Sequence, residues 1–126
     1  MIITKTPYRI SFFGGGSDYP NWYNKFNGAV LSTTIDKHIY LSCRHLPSFF
    51  QHKYRIVWSK IENVKKINQI RHKAVKNLLK DFNVQKGLEI HYDGDLPARS
   101  GMGSSSCFVV GLTKTLHELY GNKISN

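Results

Sequence analysis

A run of glycine and serine residues within PARSGMGSSS, Pro97 to Ser106, has the composition of a phosphate-binding loop. Gly101 and Gly103 permit backbone conformations and close approaches that a Cβ forbids, so successive amides can converge on an anion. The three serines that follow open an apolar helical pattern, and the first turn of a helix offers unpaired amides and the positive end of its dipole. Their hydroxyl groups can also ligate a Mg²⁺ ion that bridges phosphate oxygens.

The same residues also fit a glycine-rich turn followed by serine caps, which many proteins contain without binding a ligand. Glycine and serine alone leave these two interpretations about equal. The stretch is not a Walker A sequence, because no Gly-Lys-Ser or Gly-Lys-Thr follows the spacer, and it lacks the third glycine of the dinucleotide-binding fingerprint.

A second cluster, PYRISFFGGGSDYP, contains an arginine, three glycines, a serine and a carboxylate. Arg9 lies in an alternating strand pattern, and a triple-glycine turn would bring Ser17 and Asp18 to the end of that strand. A carboxylate beside exposed amides can hold sugar hydroxyls, while Arg9 can pair with Asp18 or with an anionic substituent. The alternative, which is compatible with the first, is that Asp18 caps a helix beginning at residues 19–22.

The elements that must position these clusters follow from hydrophobic periodicity. Alternation with a period of two predicts strands at Thr6–Phe13, Tyr54–Trp58 and Leu88–Asp93, and a pair of strands within Gly28–Leu46 that joins near Asp36 and Lys37. Apolar spacings of three and four predict helices at Ile67–Phe82, through Ile67, Ile70, Ala74, Leu78 and Phe82, and at Ser104–Tyr120, ended by Gly121. This order predicts an α+β fold with two layers.

The net charge of +10 over 126 residues raises the possibility of nucleic-acid binding. Residues 53–86 carry ten basic side chains against Glu62 and Asp81, whereas the rest of the chain is nearly balanced. A surplus confined to one helix-like segment favours a solvated face, and we expect no nucleic-acid partner. A nucleic-acid-binding domain is the alternative from another functional class, and it would show a steep salt dependence of binding.

Two cysteines, Cys43 and Cys107, have no CxxC partner, and no apolar stretch is long enough to span a membrane. The N-terminus lacks a signal-peptide pattern. We therefore expect a cytoplasmic protein with two buried, unpaired thiols and no membrane partner. The six histidines form no HExxH or other zinc-binding pattern.

The two clusters, in this order, resemble the GHMP kinases, the superfamily of galactokinase, homoserine kinase and mevalonate kinase. PARSGMGSSSC is similar to the family's phosphate loop PxxxGLGSSA, with Met102 in place of leucine and Ser106 and Cys107 in place of serine and alanine. The segments TPYRISFFGGGSDYP, NGAVLSTTIDKHIYL and VWSKIENV most resemble the bacterial heptose kinases of the family, which phosphorylate D-glycero-D-manno-heptose 7-phosphate at the anomeric position. Galactokinases instead tend to carry Gly-Glu-His where this chain has Gly15 and Gly16.

The resemblance implies a ribosomal protein S5 domain 2-like fold, with ATP and Mg²⁺ as cofactors and a small sugar phosphate as substrate. It assigns the ATP phosphates to Pro97, Gly101, Met102, Gly103, Ser104, Ser105 and Ser106, with Mg²⁺ near Ser104 or Ser105. It assigns the sugar to Arg9, Gly15, Gly16, Ser17 and Asp18. Trp58, Ser59 and Lys60 match a stretch that the family places toward the nucleotide, although a solvent-facing strand end fits them almost as well.

The family's later segments supply the catalytic base and most of a C-terminal domain, and no part of this chain resembles them. Asp93 and Asp95 precede the loop and are interpreted as turn carboxylates, because negative charge beside ATP would repel its phosphates. We expect residues 1–126 to form an incomplete N-terminal, ATP-binding domain whose catalytic base lies beyond residue 126. Galactose, fucose or a mevalonate-type alcohol are the alternative substrates.

Overall fold

The computed structural model describes residues 1–97 and 100–121. The strands are β1 (Ile2–Phe13), β2 (Leu31–His45), β3 (Tyr54–Val57), β4 (Ile61–Val64) and β5 (Leu88–Gly94). The helices are α1 (Pro20–Tyr23), α2 (Lys73–Asp81) and α3 (Ser104–Tyr120), with 3-10 turns at Gly15–Asp18 and Ile67–Gln69.

The five strands form one sheet in the order β1-β2-β5-β3-β4. All neighbouring pairs are antiparallel except β3 and β5, which run parallel. The parallel pair requires a crossover, and α2 lies in that connection. Mixed strands and helices in this order confirm the predicted α+β class.

The core lies between the sheet and two helices. Buried side chains from the strands include Tyr8, Leu41 and Ile90, and the buried face of α3 includes Leu112 and Leu116. On β5 the neighbour of Ile90 is Glu89, which lies on the opposite face because side chains alternate along a strand. The helices therefore cover one face of the sheet and form the second layer.

Helix α3 begins and ends where the sequence predicts, from Ser104 to Tyr120, and Gly121 follows it with a φ of +73°. The predicted strands over residues 6–13, 54–58 and 88–93 are also present, although the first extends back to Ile2. Cys43 and Cys107 are both buried and unpaired, as expected. No described helix is both long and apolar enough to cross a membrane.

The prediction of two strands within residues 28–46 is wrong, because β2 is one continuous strand. Asp36 and Lys37 lie in a bulge rather than a turn: Pro7 pairs with His38, whereas Arg9 pairs with Thr34. One residue of β1 thus faces three residues of β2 at this point. A bulge places polar residues in the middle of a strand, which imitates the sequence pattern of a turn.

The predicted helix over residues 67–82 is too long at its N-terminus. Residues 67–69 form a 3-10 turn, Ile70 is extended, and α2 begins only at Lys73. Its buried side chains are Val75 and Leu79, so the predicted apolar face is shifted by one residue. Strand β4, which no periodicity predicts, pairs with β3 as a short hairpin.

Candidate functional site

The predicted phosphate loop leads directly into α3. Gly101 and Gly103 have φ values of +75° and +71°, in the left-handed region that favours glycine. Gly103 is the N-cap of α3 and makes no side-chain cap, and the first bond of the helix runs from the Cys107 amide to the Gly103 carbonyl. The positive φ values thus turn the chain at both predicted glycines. Ala98 and Arg99, within the predicted motif, lie outside the described residues.

The serines of the loop do not cap the helix. The hydroxyl groups of Ser104, Ser105 and Ser106 have no hydrogen-bond partner in the part of the chain that the structure describes. Their amides belong to the first turn, where a helix offers no internal acceptor. The serine-cap interpretation is therefore wrong, and three amides with three hydroxyls remain available at the positive end of a helix of 17 residues.

Strand β1 brings Arg9 to this loop. The Arg9 amide donates a hydrogen bond to the Met102 carbonyl at 3.3 Å. A Cβ placed on Gly103 would lie 3.0 Å from Cγ and 3.2 Å from Nε of Arg9, so the arginine side chain lies directly over this glycine. The Cys107 thiol donates to the Pro7 carbonyl at 3.0 Å, one turn further along α3. The structure thus brings Arg9 of the PYRISFFGGGSDYP cluster against Gly103 of the predicted phosphate loop.

The glycine turn after β1 closes against the segment before β2. Gly14 has a φ of +84°, and a Cβ there would lie 1.8 Å from the Ala29 carbonyl oxygen. The Ser17 hydroxyl donates to the carbonyls of Gly14 and Ala29 at 2.7 and 3.2 Å. The side chain of Ser17 therefore holds the turn together. Gly15 and Gly16 make no such close approach.

Asp18 is exposed and has no hydrogen-bond or ion-pair partner within residues 1–97 and 100–121. Helix α1 has Tyr19 as its N-cap, without a side-chain cap. The interpretation of Asp18 as a helix cap is therefore wrong. Neither Asp18 nor the glycine turn makes a hydrogen bond or ion pair with the described part of the phosphate loop, whereas Arg9 hydrogen-bonds to it.

An aromatic cleft of about 230 Å³ lies beside the first turn of α3. The rings of Trp58 and His72 stand 5.1 Å apart at 88°, and those of His72 and Phe108 are 4.8 Å apart. The ring of Tyr92 lies 5.5 Å from the ring of Phe108. The lining residues are Trp58, His72, Ala74, Tyr92, Ser104, Ser105 and Phe108.

The family resemblance places Trp58, Ser59 and Lys60 toward the nucleotide, and the structure brings one of them to the cleft. Trp58 lines it, whereas Ser59 and Lys60 are exposed and do not. Sequence reasoning missed His72, Tyr92 and Phe108 as site residues, because they come from three separate elements whose proximity only the fold creates. Of these three residues, only Phe108 could have been placed at the site from the sequence, since it follows Ser104 by one helical turn.

Burial controls the ionisation of groups at the site. Burial holds the pKa of His72 below its ordinary value, although the negative charge of Glu62 acts in the opposite direction. The Nδ1 atom of His72 accepts the Val75 amide at 3.4 Å, which requires an unprotonated Nδ1. Burial also raises the pKa of the Cys107 thiol, against the effect of the Arg9 charge, so this thiol is a poor nucleophile.

The two aspartates before the loop differ in position. The Asp95 carboxylate accepts the His38 amide at 2.7 Å, and this side chain is a turn carboxylate as predicted. Asp93 instead lies within β5, so its interpretation as a turn residue is wrong.

A sequence model of the family described as "GHMP kinases N terminal domain" matches residues 68–126. Residues 68–126 belong to the GHMP kinase N-terminal domain family. This match covers α2, β5, the phosphate loop and α3, and it confirms the family resemblance of PARSGMGSSSC.

The relatives of this GHMP kinase domain include sugar and amino-acid kinases. It is 32% identical to D-glycero-alpha-D-manno-heptose 7-phosphate kinase of Campylobacter jejuni subsp. jejuni, over 93% of this chain and 37% of that protein. A homoserine kinase of Methanococcus maripaludis is 40% identical over 41% of this chain and 17% of its own length. The chain therefore spans well under half the length of the relatives it matches.

Solved structures show the same fold. A D-glycero-D-manno-heptose 1-phosphate kinase from B. thetaiotaomicron superimposes with a TM-score of 0.81 at 22% identity, covering 99% of this chain and 44% of that chain. A Lactococcus lactis galactokinase complexed with galactose gives a TM-score of 0.70 at 18% identity, over 98% of this chain and 34% of that one. The predicted ribosomal protein S5 domain 2-like fold of this GHMP kinase domain is thereby confirmed.

Proposed function

We propose that the full-length protein is an ATP-dependent sugar kinase that phosphorylates the anomeric hydroxyl of D-glycero-D-manno-heptose 7-phosphate. One observation carries this proposal: three hydroxyls without a partner among the described residues lie together with the first-turn amides of α3, beside Arg9. Phosphoryl transfer depends chiefly on positioning and on neutralising the charge of the transferred group, and these are the groups that such a reaction needs.

The phosphates of ATP would lie against Gly101–Ser106, where the amides of the first turn of α3 donate to them. Pro97 and Met102 would shape this loop, and the Met102 carbonyl is already engaged by β1. Ser104 and Ser105 fit a Mg²⁺ site because their hydroxyls have no other partner in the described chain. Bound there, Mg²⁺ would neutralise charge that develops on the phosphate oxygens.

The base of ATP would occupy the aromatic cleft. Its rings lie beside Ser104 and Ser105, so a nucleotide with phosphates at the loop would direct its base among them. Aromatic faces stack on any base, and a neutral His72 adds a ring without the cost of a buried charge. Trp58 would take the role expected from the family stretch, while Ser59 and Lys60 are solvent-exposed.

The sugar phosphate would lie on the β1 side of the loop. Arg9 can pair with an anionic substituent, and Asp18, which has no partner in the described part of the chain, can accept bonds from sugar hydroxyls. Gly15, Gly16 and Ser17 would set the shape of the turn that carries Asp18. The likeness to the Campylobacter jejuni heptose kinase supports this substrate over galactose, fucose or a mevalonate-type alcohol.

We further propose that a C-terminal half of the protein completes the cleft and supplies the catalytic base. Aromatic side chains crowd the end of the β1–β2 hairpin, where Phe13 is 73% and Tyr19 69% exposed. Large apolar patches of this kind mark interaction surfaces. The other exposed members are Phe12, Trp22, Tyr23, Phe26 and Leu31.

Because both cysteines are unpaired, we place this protein in the cytoplasm.

The decisive test measures ADP release by the full-length protein with ATP, Mg²⁺ and a panel of acceptors. The panel contains heptose 7-phosphate, galactose, fucose and mevalonate. We expect the highest kcat/KM for heptose 7-phosphate and no turnover without an acceptor. No turnover with any acceptor, together with salt-sensitive binding of RNA or DNA, would instead support the nucleic-acid alternative.

A further inference from the structure

Glu62 is a buried carboxylate on β4 with three donors around it. The residue is only 9% exposed. Oε1 accepts the Trp58 indole N–H at 3.1 Å and the His72 amide at 3.2 Å, and Oε2 accepts the Arg71 amide at 2.6 Å. A buried carboxylate with this many directed donors holds its partners firmly, because releasing any of them leaves an unsatisfied polar group.

The three donors belong to two separate segments of the chain. Trp58 follows β3 directly, whereas Arg71 and His72 directly precede α2. Trp58 and His72 each contribute a ring to the aromatic cleft, and their rings meet edge to face. One side chain, which does not itself line the cleft, thus connects two of its walls.

A purely structural role as an anion at the start of α2 explains only part of this geometry. The helix already has a side-chain cap from His72. Moreover, the indole bond lies on the β3–β4 hairpin and adds nothing to a helix terminus. A structural role at the start of α2 therefore does not account for the hydrogen bond from Trp58 to Glu62.

We propose that Glu62 is a positioning residue that orients Trp58 and His72 to receive the nucleotide base. This inference rests on the proposed function, since it assumes that ATP binds with its base in the cleft. Glu62 acts on the base and not on the phosphates, because none of its three bonds reaches the phosphate loop. Loss of Glu62 therefore weakens the binding of ATP but leaves unchanged the binding of a ligand that consists of phosphates alone.

The test compares ATP with inorganic tripolyphosphate as ligands of the full-length protein, using calorimetry. Glu62→Gln keeps the shape but replaces one acceptor by an NH₂ group that faces N–H donors. We expect ATP affinity to fall by about tenfold or more, with tripolyphosphate affinity unchanged. Glu118→Gln is the control, because Glu118 is an exposed glutamate whose recorded partner is Lys114 on the same helix.

A second variant covers the case in which Glu62→Gln does not fold. Trp58→Phe removes the indole donor, leaves both amide bonds to Glu62 intact, and should also weaken ATP selectively. If both variants fold, their effects on ATP affinity should be less than additive, because both act through the same bond. Equal weakening of ATP and tripolyphosphate, or unchanged ATP affinity in a folded variant, overturns the positioning role. Failure of the unmodified protein to bind either ligand overturns the proposed function itself, and this inference with it.

Discussion

Gly103 meets two separate requirements at one position. Its φ of +71° places the backbone where L side chains are strained, and the Arg9 side chain covers its Cα. The second requirement is specific to the site, because Gly101 and Gly121 have similar φ values with open space around them. The glycine that touches Arg9 is thus the one where a side chain disturbs both clusters.

The first prediction concerns Gly103→Val in the full-length protein. Valine adds backbone strain of about 1–2 kcal/mol and pushes Arg9 from the loop, so ATP binding should fall below detection by calorimetry. Gly121→Val is the matched control, since its φ of +73° imposes comparable strain at the opposite end of α3. The control should lose stability but still bind ATP. Unchanged ATP affinity in a folded Gly103→Val protein would remove the loop from the site.

The second prediction concerns Asp18, whose carboxylate has no partner among the described residues. Asp18→Asn should leave thermal stability unchanged, because Asp18 caps no helix. If Asp18 accepts bonds from the sugar, kcat/KM for heptose 7-phosphate should fall about ten- to a hundredfold, with ATP affinity constant. Asp81→Asn, an exposed aspartate at the end of α2, is the control. Sugar kinetics equal to those of the unmodified protein would leave Asp18 without a role.

Single residues differ in how far the sequence alone defines them. The left-handed backbone at Gly101 and Gly103 was predictable, because glycine permits conformations that other residues avoid. The partner of Arg9 was not, since Gly103 lies 94 positions away and only the sheet and α3 bring them together. The same is true of His72 and Tyr92, whose positions in the aromatic cleft depend on which elements become neighbours.

At the scale of elements, α3 carries the loop and is held close to the sheet by Gly111. A Cβ on Gly111 would lie 2.8 Å from Thr6 Oγ1 and 3.0 Å from Leu41 Cδ1. Beside it, the Thr4 and Thr115 hydroxyls lie 2.8 Å apart and both contact the Gly111 carbonyl. A small residue at this position therefore sets the distance between α3 and β1.

The third prediction is that Gly111→Ala destabilises the protein. In an open helix this change would add about 1 kcal/mol of stability, but here overpacking should reverse the sign and cost about 1–3 kcal/mol. Chemical denaturation measures the free energy of unfolding. The double variant with Thr6→Ala should lose less than the sum of the two single variants, because it removes the nearest clashing atom. A gain in stability from Gly111→Ala would show that α3 can move away from the sheet.

The fourth prediction concerns pH and the start of α2. Burial lowers the pKa of His72 in the folded state, so below its ordinary value, about 6.5, the unfolded chain binds a proton that the folded chain resists. Stability should therefore fall as the pH decreases from about 7.5 to about 5. His72→Asn keeps a cap acceptor for Val75 but does not titrate, so its melting temperature should fall less over this range. Equal decreases in both proteins would contradict the role of burial.

Secondary structure was predictable where the pattern was long and regular, as in α3 and β5. It was not predictable where tertiary contacts override local preference. Glu62 draws the amides of Arg71 and His72 toward β4, which delays the start of α2 beyond the apolar pattern. The bulge in β2 likewise depends on its pairing with β1, which local sequence does not specify.

For the whole molecule, the distribution of exposed apolar side chains matters more than any single contact. The aromatic residues near α1 form an exposed group, and the rings of Trp22 and Phe26 lie 5.0 Å apart. Elsewhere Phe49 is 78% exposed, paired only with the neighbouring Phe50 ring among the described aromatic contacts. The basic residues of segment 53–86 are mostly exposed, consistent with a solvated face.

The last prediction tests whether the aromatic group near α1 is covered in the full-length protein. The 126-residue chain alone should release no sugar-dependent ADP, and it should bind the apolar dye ANS more strongly than the full-length protein. Phe13→Ser should destabilise the full-length protein by about 1.5–3 kcal/mol if a C-terminal half buries this ring, yet barely affect the 126-residue chain, where it is 73% exposed. Phe49→Ser, at 78% exposure, is the matched control and should be nearly neutral in both. Equal effects of Phe13→Ser and Phe49→Ser in the full-length protein would mean that the aromatic group faces solvent there too. Steady sugar-dependent turnover by the 126-residue chain would mean that the catalytic base lies within these 126 residues.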